Sequence, residues 1–214
     1  MNPDSILIIV SGFSGAGKGT LMKELVSRYP ETYALSVSAT TREPRPGEVH
    51  GREYFFIEQT EFEKMIEKGA LIEYATYCKS YYGTPRSYVD EQLESGKDVI
   101  LEIEIQGALQ VKKDHPDALL LFVTPPTIDI LLQRLVDRGT ESLEAIQSRM
   151  HRAYEEAQGM ELYDYLIIND ELYACVNQMH EIIQSEHYRC SRNHDYVEKL
   201  KKDLLLIRYQ EEMK

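Results

Sequence analysis

Gly12-Phe13-Ser14-Gly15-Ala16-Gly17-Lys18-Gly19-Thr20, directly behind the apolar run Ile6-Leu7-Ile8-Ile9-Val10, is the stretch that decides the fold. The apolar run reads as a buried strand, and Leu21, Leu25 and Val26 after the glycines carry a helical pattern. Between the two, glycines let the backbone curl around a phosphate so that several N–H groups point at it. The N-terminus of the following helix adds partial positive charge. Lys18 stands where it reaches the outer phosphates of a nucleotide. The pattern G-x-x-x-x-G-K is met, but the next position, where a hydroxyl would sit on Mg²⁺, is Gly19; Thr20 is the substitute one place later. A tight strand-to-helix connection would account for the glycines and leave the lysine unexplained.

The chain has 214 residues, enough for one domain, or one domain with insertions, around a sizeable core. Cys78, Cys175 and Cys190 have no spacing suggestive of a metal site or a disulfide framework, which fits a reducing compartment. Met1-Asn2-Pro3-Asp4 leads straight into a strand, and no apolar run approaches membrane-spanning length, so the expected address is the cytoplasm. A formal net charge of −12 disfavours nonspecific binding to nucleic acid or membrane. An anionic substrate therefore requires locally concentrated arginine and lysine.

Two such concentrations exist. After the first helix, ended by Tyr29-Pro30, the segment from Tyr33 begins as a strand and turns irregular at Arg42-Glu43-Pro44-Arg45-Pro46-Gly47-Glu48. Arg42 and Arg45 on this loop suit a phosphate clamp, because guanidinium forks match phosphate oxygens. A solvated turn with Glu43 and Glu48 as partners is an equal reading. The second concentration is Arg134, Arg138, Arg149 and Arg152, on a helical hairpin jointed at Gly139-Thr140, with Glu141, Glu144, Glu155 and Glu156 as the competing surface partners.

Between them, Glu53–Ile57 and Ala70–Tyr77 read as strands, with a capping box at Thr60-Glu61-Phe62-Glu63 opening a short helix that Gly69 closes. Short strands thus dominate from Tyr33 to Thr84. Regular alternation resumes with a helix over Arg86–Glu94 and a strand over Asp98–Ile105. That strand carries Glu102 and Glu104 on one face at its C-terminal end, where open α/β sheets bind ligands. Gln106-Gly107 starts a helix, and Ala118–Val123 is the next buried strand. Helices from Thr127 and Ser142 follow, then a strand over Tyr165–Ile168 and a helix over Glu171–His187 capped by Asp170. Val197, Leu200, Leu204 and Ile207 give the final segment a helical apolar row that packs on the domain or on a partner subunit. The six histidines show no metal-ligand spacing.

Over Ile6 to His187 the chain resembles guanylate kinase. The resemblance rests on G-F-S-G-A-G-K-G-T, S-V-S-A-T-T-R-E-P-R-P-G-E-V-H-G-R-E-Y, the Y-Y-G-T turn, L-E-I-E-I-Q-G, a P-P stretch followed by R-L-V-D-R-G-T, and I-I-N-D. It implies an α/β fold: a P-loop core with a parallel sheet flanked by helices (1–36, 87–125, 159–190), a small inserted GMP-binding sheet domain (37–86) and a helical lid (126–158). Residues 191–214 form a C-terminal helical extension. The implied reaction is ATP plus GMP or dGMP giving ADP plus GDP or dGDP, with Mg²⁺. By resemblance, Ser14, Gly15, Ala16, Gly17, Lys18, Gly19, Thr20 and Asn169 bind ATP, and Arg42, Arg45, Tyr54 and Tyr82 clamp the GMP phosphate. Ser38, Glu73, Thr84 and Glu104 read guanine. Lys18, Arg42, Arg134, Arg138 and Arg149 act on the transferring phosphoryl group.

Two positions depart from the family's pattern. Glu104 stands where aspartate is usual, and Gly19 where many members have serine. The metal is then held mostly by phosphates and waters, with Thr20 and Glu102 as candidate contacts through water. A protein-binding module that resembles guanylate kinase but has lost catalytic residues is opposed by Lys18, Arg42, Arg45 and the lid arginines. A kinase for another monophosphate is opposed by the arginine loop and the Glu73/Glu104 pair. Self-association, where it occurs, is expected through the C-terminal extension.

Overall fold

The computed structural model describes residues 5–77, 79–137 and 143–212. In chain order the first elements are β1 (Leu7–Gly12), α1 (Lys18–Arg28), β2 (Tyr33–Leu35), β3 (Ala39–Thr40), β4 (Phe55–Phe56), α2 (Gln59–Glu67), β5 (Leu71–Tyr77) and β6 (Ser80–Pro85). There follow α3 (Arg86–Glu94), β7 (Asp98–Glu102), α4 (Ile105–Asp114), β8 (Leu119–Thr124), α5 (Ile128–Asp137), α6 (Leu143–Ala157), β9 (Tyr165–Ile168), α7 (Leu172–Glu186) and α8 (His194–Glu212).

The apolar runs of the sequence assemble into one parallel sheet of order β2-β7-β1-β8-β9, with Ile9 opposite both Leu101 and Leu120 at its centre. Alternation along β1 sorts the core. Ile6, Ile8 and Val10 face a cluster with Leu21 and Leu25 of α1, Leu131 and Leu135 of α5, and Val176 and Met179 of α7. Leu7 and Ile9 face the opposite layer, with Val89 and Leu93 of α3 and Ala108 and Val111 of α4. Each of the larger aliphatic side chains contributes about 1.5–3 kcal/mol by leaving water. The sheet is therefore covered on both faces, as its uninterrupted apolar strands require.

The segment from Tyr33 divides between two sheets. Tyr33–Leu35 pairs with β7 in the core, whereas Ala39–Thr40 joins a second, four-stranded sheet of order β4-β3-β6-β5. Ala39, Phe62 and Leu71 make the small core of that second sheet.

Several sequence expectations need correction at element ends. The helix expected to open at Thr60 begins at Gln59 with Glu58 as its N-cap, because the Glu61 and Phe62 N–H groups already bond the Glu58 carbonyl. Glu63 accepts instead from Gln59 Nε2 at 2.8 Å. The strand expected to run to Ile105 stops at Glu102. Ser11 Oγ takes the Ile103 carbonyl at 2.7 Å, and Glu104 becomes the N-cap of α4, so Glu102 and Glu104 do not share a strand face. The cap of α7 is Glu171, whose carboxylate accepts from the Tyr173 and Ala174 N–H groups, and not Asp170. Cys78, Met1-Asn2-Pro3-Asp4, and the segment with Arg138, the Gly139-Thr140 joint, Glu141 and Ser142 lie outside the described residues.

The last helix is tethered at its start: Arg192 donates to the Asp117 carbonyl at 2.6 Å and lies 3.5 Å from buried Glu186. Beyond that point Leu200, Leu204, Leu205, Leu206 and Ile207 are exposed. No helix among the described residues is long and apolar enough to cross a membrane.

Candidate functional site

The glycine loop leaves the C-terminal end of β1 at the centre of the sheet. A Cβ on Gly12 would lie 2.0 Å from the Val123 carbonyl oxygen, so only glycine lets β1 run this close to β8. Gly17, at φ +88°, is the left-handed N-cap of α1, and a Cβ there would meet Asn169 Nδ2 at 2.6 Å. The loop is held from outside. Asn169 Nδ2 donates to the Ala16 carbonyl at 2.8 Å, and Arg134 donates to the Asn169 carbonyl at 3.0 Å and the Ala16 carbonyl at 3.4 Å. Lys18 Nζ curls back to donate to the carbonyls of Gly12 (2.7 Å) and Phe13 (3.2 Å). Arg149, on α6, donates to Ser14 Oγ.

A cleft of about 470 Å³ opens from this loop towards the second sheet, lined by Ser14, Lys18, Ser38, Tyr54, Glu73, Tyr82, Glu102, Glu104, Arg149, Arg152 and Glu156, among others. At its far side Glu73 is buried and accepts from Thr84 Oγ1 at 2.7 Å. Burial raises the Glu73 carboxyl above its usual pKa, opposed by the Thr84 donor and reinforced by the Glu104 charge. Its other oxygen lies 3.1 Å from where a Cβ on Gly107 would stand, over the first turn of α4, where a helix favours negative charge. Glycine at 107 is what admits the carboxylate there.

Arg42 makes a two-pronged pair with Glu48, at 3.0 Å on each prong, with its guanidinium 5.5 Å from the Tyr54 ring centroid. Tyr54 and Tyr82 lie edge to face at 5.9 Å. The arginine loop thus has the Glu48 partner that a solvated turn would use, and presents Arg42 to the two tyrosines as well. Arg45 anchors its backbone N–H on Glu48 at 2.7 Å and is exposed.

Glu102 lies on the cleft floor. Its side chain is reached by solvent, yet the surrounding protein raises its carboxyl, against the pull of Lys18 and Lys23. A Cβ on Gly19 would stand 3.8 Å from Glu102 Oε2, so position 19 faces this carboxylate and glycine leaves the space open. One carboxylate beside a phosphate loop is a donor set that fits Mg²⁺, which keeps most of its waters. Thr20 is exposed, one helical step of about 100° further round. Among the described residues no three His, Cys, Asp or Glu side chains cluster as a metal site.

Of the residues singled out in the sequence, Ser14, Lys18, Ser38, Tyr54, Glu73, Tyr82, Glu102, Glu104 and Arg149 meet on one cleft, with Thr84 behind Glu73. Asn169 and Arg134 stand behind the loop, gripping its backbone, and Arg138 is outside the described residues. Sequence reasoning counted Arg152 in the basic cluster and Glu156 among its surface partners, and placed neither on the cleft. Arg152 Nη2 sits 2.5 Å from Glu104 Oε2, and its Nε sits 3.4 Å from Glu156 Oε1. The i, i+4 spacing of Arg152 and Glu156 was the available signal.

The guanylate kinase family model matches residues 4–186. The chain is 50% identical over 192 residues to guanylate kinase of Streptococcus thermophilus, covering 90% of this chain and 92% of that one. It is 49% identical over 192 residues to guanylate kinase of Streptococcus agalactiae, with the same two coverages of 90% and 92%. The crystal structure of guanylate kinase from Anaplasma phagocytophilum superposes with a TM-score of 0.70 at 26% identity, covering 88% of this chain and 89% of that one. With a family model spanning most of the chain and relatives at half identity over nine-tenths of it, the chain belongs to the guanylate kinase family.

Proposed function

We propose that this chain transfers the γ-phosphoryl group of ATP to GMP or dGMP, giving ADP and GDP or dGDP. One observation carries the reading: the buried Glu73–Thr84 pair opens onto the same cleft as Lys18 of the glycine loop. A base reader and a phosphate loop then face each other across one space. Guanine offers adjacent N1–H and N2–H₂ donors, and a carboxylate accepts both. Adenine has an acceptor at N1 and no N2 amine, so it leaves a buried carboxylate unpaired, a discrimination worth about 10⁴-fold in sites built this way.

Catalysis in this reading is alignment and charge neutralisation, since phosphoryl transfer offers the protein little covalent chemistry. The acceptor phosphate, with a second pKa of about 6, is already largely dianionic at neutral pH, so no general base is required. Arg42, Arg45, Tyr54 and Tyr82 hold that phosphate, and Ser38, Glu73, Thr84 and Glu104 hold the base. Ser14 to Thr20 cradle the ATP phosphates, with Lys18 leaving the Gly12 and Phe13 carbonyls for the outer ones. Arg149 and Arg138 act on the transferring group. Arg134 and Asn169 fix the loop from behind, which is how both serve the ATP site. Glu102 would hold Mg²⁺ through water; when bound, the metal neutralises charge on the phosphates.

A lid over residues 126–158 excludes water, which otherwise accepts the phosphoryl group and wastes ATP. ATP and GMP are nucleotides of the cytoplasm, and this reading assigns the chain to that compartment. Self-association falls to α8, where Leu200, Leu204, Leu205, Leu206 and Ile207 are exposed. Turnover with GMP, dGMP, AMP and UMP, followed by coupled detection of ADP, tests the function. GMP and dGMP are expected to be the substrates, and equal turnover of AMP would overturn the assignment. Sedimentation of the full chain beside one truncated after residue 192 tests the association.

A further inference from the structure

We infer that Arg152 is a positioning residue for base recognition: carried on the lid helix, it holds the Glu104 carboxylate at the acceptor site and ties guanine binding to the position of the lid. The inference rests on the reading of the cleft as a guanine monophosphate site.

Arg149 and Arg152 are three residues apart on α6, so they project as neighbours from one side of the helix. They reach opposite halves of the cleft. Arg149 contacts Ser14 of the phosphate loop, while Arg152 contacts Glu104 at 2.5 Å on the side of Glu73. One rigid helix therefore touches both substrate subsites.

Glu104 is available for this because it caps α4 with its backbone alone; its side chain makes no cap hydrogen bond. A free glutamate there has three rotatable bonds, and more than half of the side chain is exposed, at 59%. Arg152 removes that freedom, while Glu156, 3.4 Å away and 16% exposed, steadies Arg152 from the same helix. The arrangement also answers the charge of the cleft, where Glu73, Glu102, Glu104 and Glu156 all stand on the lining that an anionic nucleotide must approach. A carboxylate has about four acceptor sites, so Glu104 can keep the guanidinium while accepting from a base. The pair is partly exposed, which limits its worth and predicts a shift in affinity and not a loss of turnover.

The test is steady-state kinetics on the full chain with R152A, R152K, E104Q and the double variant R152A/E104Q, with KM measured separately for GMP and ATP. R152A is expected to raise the GMP KM about fivefold and to change the ATP KM by less than about twofold. R152K should recover most of the GMP affinity, and the double variant should be no worse than E104Q. Equal rises in both KM values, or additive effects in the double variant, would overturn the inference. So would an R152A enzyme indistinguishable from the parent. A parent chain that does not turn over GMP defeats the functional reading instead, and the two failures are told apart by that one control.

Discussion

Thr84 Oγ1 donates to Glu73 Oε1 at 2.7 Å, and both side chains are buried, so the carboxylate enters its site already oriented by a neighbour on the adjacent strand. Replacing Glu73 by glutamine keeps the shape and leaves an N–H₂ group facing the donors of guanine. The GMP KM should rise about 10²-fold, with ATP affinity nearly unchanged. Loss of ATP affinity would show the residue to be misplaced.

The same carboxylate should be visible in pH dependence. Burial places its pKa above the usual carboxylate range, so its acceptor form is lost on acidification sooner than for an exposed glutamate. The GMP KM should therefore rise as pH falls through that raised value. The phosphate of GMP titrates nearby at about 6 and contributes its own slope. E73Q retains the phosphate slope alone, and the difference between the two profiles reports Glu73. For stability the sign is opposite to that of a salt-bridged acid. The folded pKa is raised, so the contribution is present below the unfolded pKa and is lost as pH rises through the folded one. Urea unfolding of E73Q near pH 8 should show a stability no lower than the parent's.

Gly17 supplies a third prediction. Alanine there must adopt φ +88° and place its Cβ 2.6 Å from Asn169 Nδ2. Backbone strain of about 1–2 kcal/mol adds to the loss of the Asn169 bond to Ala16. G17A should lower the melting temperature and weaken ATP binding together. G17A/N169A removes the clash and keeps the strain, so it should recover stability in part and ATP binding hardly at all. Full recovery of both would mean that the amide contact, and not the left-handed cap, shapes the loop.

What the sequence made legible was whatever rests on local pattern. The run Ile6–Val10 had to be a buried strand, and α3 and β9 begin and end where periodicity and turn residues put them. The split of the segment after Tyr33 between two sheets, at Leu35 to Ala39, was not legible, since the prolines and Gly47 that break the chain lie further on, between two strands of the second sheet. Side-chain partnerships between distant elements were not legible. Arg152 meeting Glu104 depends on how α6 lies across the cleft, and no spacing encodes that. The end of β7 was misread for a related reason: Ile103 to Ile105 alternate like strand residues, but the Ile103 carbonyl is taken by the Ser11 hydroxyl and Glu104 caps α4 with its backbone.

Glu102 faces position 19, where glycine leaves room beside the first turn of α1. If this carboxylate orders the waters of Mg²⁺, E102Q should raise the Mg²⁺ concentration for half-maximal turnover about tenfold while leaving the GMP KM nearly unchanged. T20A should leave that Mg²⁺ concentration nearly unchanged, since Thr20 stands one helical step of about 100° further round α1. A large T20A effect with a silent E102Q would reverse the assignment.

Asp98, buried at the start of β7, accepts from the Ile6 N–H at 2.8 Å and lies 2.9 Å from His187 Nε2, joining the strand that precedes the glycine loop to the end of α7. Burial raises its carboxyl above the usual range despite His187 and the Ile6 donor. Alanine leaves the Ile6 N–H buried without an acceptor, a cost of about 1–3 kcal/mol. Asparagine keeps an acceptor for that N–H and removes the buried charge, so D98N should be clearly more stable than D98A. Because the folded pKa is raised, the aspartate's contribution is full below its unfolded pKa and is lost as pH rises through the folded value. Urea unfolding at pH 5 and pH 8 should therefore show D98N closing part of its deficit at the higher pH. A D98N variant as unstable as D98A at both would mean that the charge, and not the bond to Ile6, is what holds this corner of the sheet.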